Sequence, residues 1–239
     1  MAIVTRTVTY ADQETALTGF LAWDDAAPRP RPGLLLVHGG AGLDEHAQGQ
    51  ARRYATLGYA VLACDMFGAG VAGNRERVLA CLLELRDNPQ LLVRRGQAGL
   101  TALAACPEAG GRPGAVGFCF GGLAVLTLAR SGAGLAGVVS MHGSLATVSP
   151  AEPGAVTAKV LVCHGALDPH VPMTDVVGFA AEMDHARADW QLIVYGGAMH
   201  GFTHAHAVPG AMPGVAYDAP ADQRSFAAAE AFLAEALNP

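Results

Sequence analysis

The sequence has 239 residues, of which 51% are hydrophobic and 15% charged, with a formal net charge of −6. This length suffices for one large domain with a full core, and the composition is typical of a globular protein. The negative charge and the lack of any Lys/Arg run argue against nucleic acid or an anionic membrane surface as a partner. No apolar run approaches the roughly 20 residues that a membrane-spanning helix needs.

The cysteines are odd in number and widely scattered, at Cys64, Cys81, Cys106, Cys119 and Cys163. They show neither the paired spacing of a zinc site nor the density of a disulfide scaffold. Residues 1–6 contain no charged segment followed by an apolar stretch, so we expect no secretory signal. These features favour a reducing cytoplasm, in which a free reactive thiol is permitted.

The predicted elements begin with an antiparallel hairpin, because residues 3–10 and 17–23 alternate in polarity and precede a proline-rich connector. After it, short apolar runs alternate with helical stretches. The predicted strands are residues 33–37, 59–64, 115–118, 137–141, 159–163 and 190–195. The predicted helical regions are residues 44–57, 75–106, 122–130, a helix opening near 172, and 219–237.

The strand runs lack polar alternation, which indicates that both of their faces are covered, as in a parallel sheet between helix layers. The repeated strand–helix order predicts an α/β fold with a mostly parallel, doubly wound sheet and an N-terminal antiparallel hairpin. The sequence shows no internal repeat and no long linker. We therefore expect a single domain over residues 1–239.

A candidate nucleophile stands out in the segment Gly117-Phe118-Cys119-Phe120-Gly121, between a predicted strand and a predicted helix. A sharp strand-to-helix turn lifts its central side chain clear of the backbone, and flanking glycines let the turn pack closely. The usual form of this motif carries serine. Here Cys119 supplies a thiol at that position.

Histidine and aspartate residues, which can act as acids or bases, also follow other predicted strands. In an open parallel sheet the carboxyl ends of the strands meet at one edge, where sites form. His38 follows the third strand, His142 the sixth, Asp168 the seventh and His200 the last. The order Cys119, Asp168, His200 is the chain order of nucleophile, acid and base in an α/β-hydrolase triad.

Each candidate has a defined chemical role. His200 would take the proton of Cys119 and later give it to the leaving alkoxide, while Asp168 would fix the imidazole tautomer. The Cys119 thiolate would attack an acyl carbonyl and form a thioester that water cleaves, which needs no cofactor. The backbone N–H groups of Gly40 and Phe120 would hold the developing oxyanion.

The sequence resembles the dienelactone hydrolase family of α/β-hydrolases along nearly its whole length. The resemblance lies in the segments GFCFGG at 117–122, HGALDP at 164–169, YGGAMHGFT at 195–203, and 216–225. It implies an α/β-hydrolase fold, a catalytic set of Cys119, Asp168 and His200, and hydrolysis of an ester or lactone.

Two positions depart from the family pattern. Where the eponymous enzymes place a glutamate that helps to generate the thiolate, this sequence has Gly39, so activation of the thiol would depend on His200 alone. Where they place an arginine that holds the substrate carboxylate, this sequence has His204, a weaker and titratable anion partner. Both departures argue against dienelactone itself as the substrate.

Several residues allow more than one interpretation. Gly39, Phe67, His142, Phe202 and His204 are candidate substrate-binding residues, although plain packing or a hydrogen-bonded structural role is an alternative for the aromatic ones. His200, His204 and His206 could suggest a metal site. Gly201 and the position after a strand argue against the helix that such spacing requires, so we expect no metal.

The sequence therefore predicts a cytoplasmic, cofactor-free cysteine hydrolase of small carboxylic esters or lactones, as a monomer or homodimer. A thioesterase or an acyltransferase is the alternative among enzymes. The alternative from another class is a catalytically idle α/β-hydrolase that serves as a ligand-binding module.

Overall fold

The computed structural model describes residues 2–207, 210 and 212–237. The strands of this part are β1 (Ile3–Asp12), β2 (Thr15–Asp24), β3 (Arg31–Val37), β4 (Ala60–Cys64), β5 (Ala109–Phe118), β6 (Gly137–Met141), β7 (Lys159–Gly165) and β8 (Trp190–Tyr195). Its helices are α1 (Glu45–Ala55), α2 (Arg75–Asp87), α3 (Pro89–Ala104), α4 (Phe120–Arg130), α5 (Met173–Ala186) and α6 (Ala219–Leu237).

The strands form one sheet in the order β1-β2-β4-β3-β5-β6-β7-β8. β1 and β2 pair antiparallel along their full length, from Ile3 opposite Asp24 to Asp12 opposite Thr15. β2 is also antiparallel to β4, whereas the pairs from β4 through β3 to β8 are parallel. The predicted N-terminal hairpin and mostly parallel sheet are therefore confirmed.

Helices cover both faces of the sheet, and successive residues of a strand face opposite cores. In β3, Leu35 and Val37 join the core formed with α3, α4 and α5, while Leu34 and Leu36 join the core formed with α1 and α6. All four side chains are buried. This double burial is the physical reason why the strand has no polar alternation in the sequence.

The helical region predicted at 75–106 divides into two helices at Asn88 and Pro89. Proline disfavours the helical conformation of the residue before it, and Asn88 lies at φ −128°, ψ 85°. The Asn88 side chain then accepts a hydrogen bond from the Leu91 N–H at 3.0 Å and caps α3, with Pro89 in its first turn.

None of the helices in the described ranges combines the length and the apolarity needed to cross a membrane.

Candidate active site

The site lies where the sheet order reverses direction around β3. β4 pairs with one edge of β3 and β5 with the other, so the segments leaving β3 and β5 emerge side by side. Val37 lies opposite Gly117 in this register, which places Gly39 and Gly40 beside Cys119. Such a switch point at the carboxyl ends of parallel strands is where open α/β sheets form their sites.

Cys119 occupies the turn between β5 and α4 with φ 53° and ψ −114°. A positive φ is uncommon for a residue with a side chain and often marks a functional turn. The flanking glycines make the turn feasible, because a Cβ at Gly117 would overlap the Gly121 carbonyl and a Cβ at Gly121 would overlap the Val37 carbonyl. The sulfur therefore stands at the tip of the turn, at the N-terminus of α4.

The structure brings the sulfur, an imidazole and a carboxylate into one hydrogen-bonded chain. His200 Nε2 lies 3.1 Å from Cys119 Sγ, and His200 Nδ1 lies 2.7 Å from Asp168 Oδ2. The other carboxylate oxygen of Asp168 accepts hydrogen bonds from the backbone N–H groups of His170 and Val171, at 2.8 and 3.1 Å. These bonds fix the carboxylate, which in turn orients the imidazole.

These contacts favour a thiolate–imidazolium pair. Burial opposes ionisation of Cys119, but the hydrogen bond and charge of His200 outweigh it and lower the pKa of the thiol. Burial likewise opposes the charged form of His200, yet its bonds to Asp168 and Cys119 raise its pKa to about 10. The site therefore favours a thiolate sulfur beside an imidazolium over a neutral thiol beside a neutral imidazole.

The backbone groups predicted to hold an oxyanion also surround the sulfur. The N–H groups of Phe120 and Gly40 both contribute to the lowered pKa of Cys119, which places them close to its sulfur. Phe120 opens α4, where the helix dipole adds to the effect. A Cβ at Gly39 would lie 3.7 Å from the Cβ of Cys119, so this position lies beside Cys119 with room for a Cβ.

His142 contacts the backbone of the turn that carries Cys119. Its Nδ1 accepts a hydrogen bond from the Cys119 backbone N–H at 3.2 Å, so the ring proton is on Nε2, which donates to Thr203 Oγ1 at 2.9 Å. Burial, followed by the charge of His200, holds the pKa of His142 well below its usual value. His142 is therefore a neutral ring that ties the nucleophile turn to the loop of His200.

The predicted pocket aromatics lie deep in the fold. Phe67 is 4% exposed, and its ring centroid is 5.5 Å from that of Phe120. Phe202 is fully buried and packs edge-on against His142, with centroids 5.0 Å apart. A direct substrate contact of Phe67, His142 and Phe202 stays a prediction.

His204 is half-buried and stacks on the ring of His46, with centroids 3.7 Å apart. Burial, with the neighbouring imidazole, lowers the pKa of His46 to about 4, and burial also lowers the pKa of His204. Both rings are therefore uncharged at neutral pH. His204 does not present a fixed positive charge in place of the family's arginine.

His46 and Thr203 lie beside the predicted site residues but are not among them. They come close because the loop after His200 passes over the start of α1, where His46 Nε2 lies 3.3 Å from Thr203 Oγ1. Their separation of 157 positions gives no local signal in the sequence.

Within residues 2–207, 210 and 212–237, no three His, Cys, Asp or Glu side chains are grouped so that they could hold a metal ion.

A cysteine in a strained strand-to-helix turn, backed by a histidine and an aspartate from later strand ends of a mostly parallel eight-stranded sheet, defines an α/β-hydrolase fold. The family model described as the dienelactone hydrolase family matches residues 17–237. The chain belongs to the dienelactone hydrolase family.

Known proteins agree with this placement. A dienelactone hydrolase-like promiscuous phosphotriesterase from metagenomic libraries is 37% identical, with a TM-score of 0.93 and full coverage of both chains. A dienelactone hydrolase from Anabaena variabilis, 20% identical with a TM-score of 0.74 and full coverage of both chains, shares the fold. An uncharacterized protein of Caenorhabditis elegans is 38% identical over 154 residues, 63% of this chain and 98% of the relative.

Proposed function

We propose that this protein hydrolyses carboxylic esters or lactones through a thioester on Cys119. The observation that carries the proposal is the position of His200, whose two ring nitrogens bridge Cys119 Sγ at 3.1 Å and Asp168 Oδ2 at 2.7 Å. This is the geometry that a nucleophile, a proton carrier and an orienting acid need.

In the first half of the reaction, the Cys119 thiolate attacks the carbonyl carbon and a C–S bond forms. The carbonyl oxygen becomes an oxyanion, to which the N–H groups of Gly40 and Phe120 donate hydrogen bonds. When this intermediate collapses, the C–O bond to the leaving group breaks. The proton of the His200 imidazolium goes to the leaving alkoxide, which departs as an alcohol.

In the second half, neutral His200 takes a proton from water, and the resulting hydroxide oxygen attacks the thioester carbonyl. The second tetrahedral intermediate collapses with release of the carboxylic acid and return of the thiolate. Asp168 stabilises the imidazolium that exists at the start and end of the cycle. For a lactone, the acid and the alcohol leave as one hydroxy acid.

The surroundings of the sulfur favour uncharged substrates. Position 39 is a glycine, and His46, His142 and His204 carry lowered pKa values, so none of these four positions offers a charge at neutral pH. A substrate carboxylate would find no guanidinium at position 204. We therefore propose neutral aryl esters and unsubstituted lactones as the substrate class.

Hydrolysis of neutral phosphotriesters is a second candidate. It is supported by the full-length likeness to the promiscuous phosphotriesterase, at 37% identity, and by the uncharged state of His46 and His204. Phosphotriesters carry no charge and present a P=O group to the same pair of N–H donors.

The test is a panel of neutral aryl esters, neutral lactones, carboxylated lactones and one phosphotriester, with mass spectrometry of the quenched protein. We expect turnover of neutral esters, an acyl adduct on Cys119, and loss of both in Cys119→Ala. Cys81→Ala is the matched control, because Cys81 is also half-buried but lies in α2.

Other results would redirect the proposal. Faster transfer of the acyl group to an added alcohol or thiol than to water would favour an acyltransferase, and preference for thioesters a thioesterase. Full activity in Cys119→Ala would rule out the mechanism. A folded protein without turnover or adduct would favour the ligand-binding module.

A further inference from the structure

His38 lies directly after β3, and its side chain is 0% exposed. Both ring nitrogens are engaged by the backbone. The Met66 N–H donates to His38 Nε2 at 3.1 Å, so Nε2 carries no proton. The ring proton must then be on Nδ1, which donates to the Gly39 carbonyl oxygen at 2.8 Å. The contacts thus select one uncharged tautomer.

The carbonyl that His38 holds belongs to the peptide that joins Gly39 to Gly40. In a trans peptide the C=O and the N–H point in opposite directions. Because the Gly39 oxygen is turned toward the imidazole, the Gly40 N–H is turned away from it, on the side of Cys119, whose pKa it helps to lower. The imidazole of His38 and the sulfur of Cys119 therefore lie at opposite edges of one peptide group.

This peptide needs to be held, because it lies between two glycines. Glycine has the fewest steric limits on backbone rotation, so the plane can reverse at little cost. A reversed peptide would point the Gly39 oxygen at the thiolate and remove a donor from the oxyanion. The Gly42 N–H also donates to the Gly39 oxygen, at 3.2 Å, so the turn and the side chain share this task.

We propose that His38 is a positioning residue, whose Nδ1–H locks the Gly39–Gly40 peptide in the orientation that presents the Gly40 N–H to the nucleophile and to the developing oxyanion. This inference rests on the proposed function. His38 does not touch the reacting atoms and acts only through the peptide.

Packing restricts the imidazole of His38, which keeps its hydrogen bond to the Gly39 oxygen in place. Phe67 packs edge-on against it with centroids 4.6 Å apart, and Phe120 lies at 6.2 Å. Burial lowers the pKa of His38, which keeps the ring neutral and so keeps Nε2 available as the acceptor for Met66. Phe67 thus has a defined contact even without touching a substrate.

Two substitutions separate the roles of the two ring nitrogens. In His38→Asn the amide nitrogen stands as many bonds from Cα as Nδ1 and can still donate to the Gly39 oxygen. In His38→Gln the longer side chain can place its amide oxygen near the position of Nε2, where it accepts from Met66 but leaves the Gly39 oxygen without the side-chain donor. Both variants lose the same aromatic contacts.

We would measure kcat and KM for a neutral aryl ester, together with the pH profile of iodoacetamide alkylation at Cys119. We expect His38→Gln to lose about tenfold or more in kcat with little change in KM, because an oxyanion donor acts in the transition state. Its alkylation profile should shift to higher pH, since the Gly40 N–H no longer favours the thiolate. His38→Asn should remain close to the unmodified protein in both measurements.

Equal losses in both variants, or a larger loss in His38→Asn, would overturn the proposal and leave His38 a packing residue. If either variant fails to fold, long-range proton–nitrogen NMR correlations of the unmodified protein decide, because a proton on Nε2 would also overturn it. The alkylation profile tests the peptide orientation even if no ester is hydrolysed, so failure of the proposed function is distinguishable.

Discussion

At the scale of single residues, the predicted nucleophile Cys119 differs from an ordinary cysteine in how readily its thiol ionises. Gly39 leaves no acid beside the sulfur, and His200 lies in direct contact with it at 3.1 Å. A carboxylate next to the thiolate would repel it, whereas the imidazolium attracts it. The thiol should therefore be activated before any substrate arrives.

The ionisation of Cys119 depends on Asp168 through His200. Replacing the Asp168 carboxylate by an amide tests this dependence. In Asp168→Asn the bond that raises the pKa of His200 loses its charge, so that pKa falls and the pKa of Cys119 rises. Alkylation of Cys119 near neutral pH should slow by about tenfold for each unit by which the thiol pKa rises. Ester hydrolysis should fall by about 10²–10⁴ in kcat.

The protonation states of Cys119 and His200 determine the direction in which the pH profile of alkylation should shift. The reactive pair exists above the pKa of the thiol and below that of the imidazolium, which is about 10. The unmodified protein should thus be alkylated at a pH where the Asp168→Asn variant is still a neutral thiol. Asp175→Asn removes a carboxylate from the first turn of α5 instead and should leave the profile unchanged. Identical profiles for Asp168→Asn and the unmodified protein would contradict the assignment.

At the scale of elements, the junction of β5 and α4 carries the site. The backbones of Gly121 and Val37 approach so closely that a Cβ at Gly121 would overlap the Val37 carbonyl. This contact lets α4 begin directly above β3, which sets the distance between Cys119 and the loop of Gly40. The close approach of two backbones thus fixes the position of Cys119 relative to the predicted oxyanion donors Gly40 and Phe120.

Gly121→Ala should destabilise the protein by about 1–3 kcal/mol or more, because the overlap involves backbone atoms that cannot rotate away. Gly178→Ala is the matched control within α5, where a Cβ would meet nothing within 4 Å. There the better helix propensity of alanine should stabilise the fold by about 0.5–1 kcal/mol. Urea unfolding of both variants measures the two effects, and equal stabilities would refute the packing argument.

At the scale of the whole molecule, an ion-pair group with a buried Asp12 and Arg95 and a more exposed Arg94 links the N-terminal hairpin to α3. The two carboxylate oxygens of Asp12 accept from Arg94 Nε at 2.8 Å and from Arg95 Nε at 2.9 Å. Arg95 also donates to the Met66 carbonyl at 2.8 Å. Since Met66 donates to His38, this group connects the hairpin with the backbone under the site.

Asp12→Asn should lower the free energy of unfolding by about 3–5 kcal/mol near neutral pH, because it leaves the charge of Arg95 without its buried partner. Asp87→Asn is the control, since Asp87 pairs with Arg86 at the exposed surface, where such a pair is worth about 0–1 kcal/mol. A loss no larger than that of the control would refute the structural role of the group.

The loss of stability in Asp12→Asn should also depend on pH. Burial would raise the pKa of Asp12, but its bonds to Arg94 and Arg95 lower it below the usual value. A carboxyl group with a depressed pKa stabilises the fold above its unfolded-state pKa, and this contribution is lost as the pH falls through the folded-state value. The stability difference between Asp12→Asn and the unmodified protein should therefore narrow in acid.

A site residue can be predicted from the sequence when it directly follows a predicted strand. Cys119, Asp168 and His200 each follow a predicted strand, so the edge of the sheet gathers them without further information. The helical region predicted at 75–106 misses the break between α2 and α3, although Asn88 and Pro89 form a typical cap and helix start.

Other contacts depend on paths of loops that no local pattern encodes. His46 meets Thr203 and stacks on His204 only because the loop after His200 crosses α1. The tautomers of His38 and His142 likewise follow from which backbone groups come within reach, which is a matter of tertiary structure. Periodicity and spacing could therefore identify Cys119 as the candidate nucleophile but could not describe what positions it.

The open space at position 39 has a consequence for how this protein could change. A side chain there would begin 3.7 Å from the Cβ of Cys119 and meet only ordinary contacts. A single replacement could thus introduce an acid, an amide or a hydroxyl beside the sulfur without a clash at its Cβ. This makes position 39 a natural starting point for directed evolution of new selectivity.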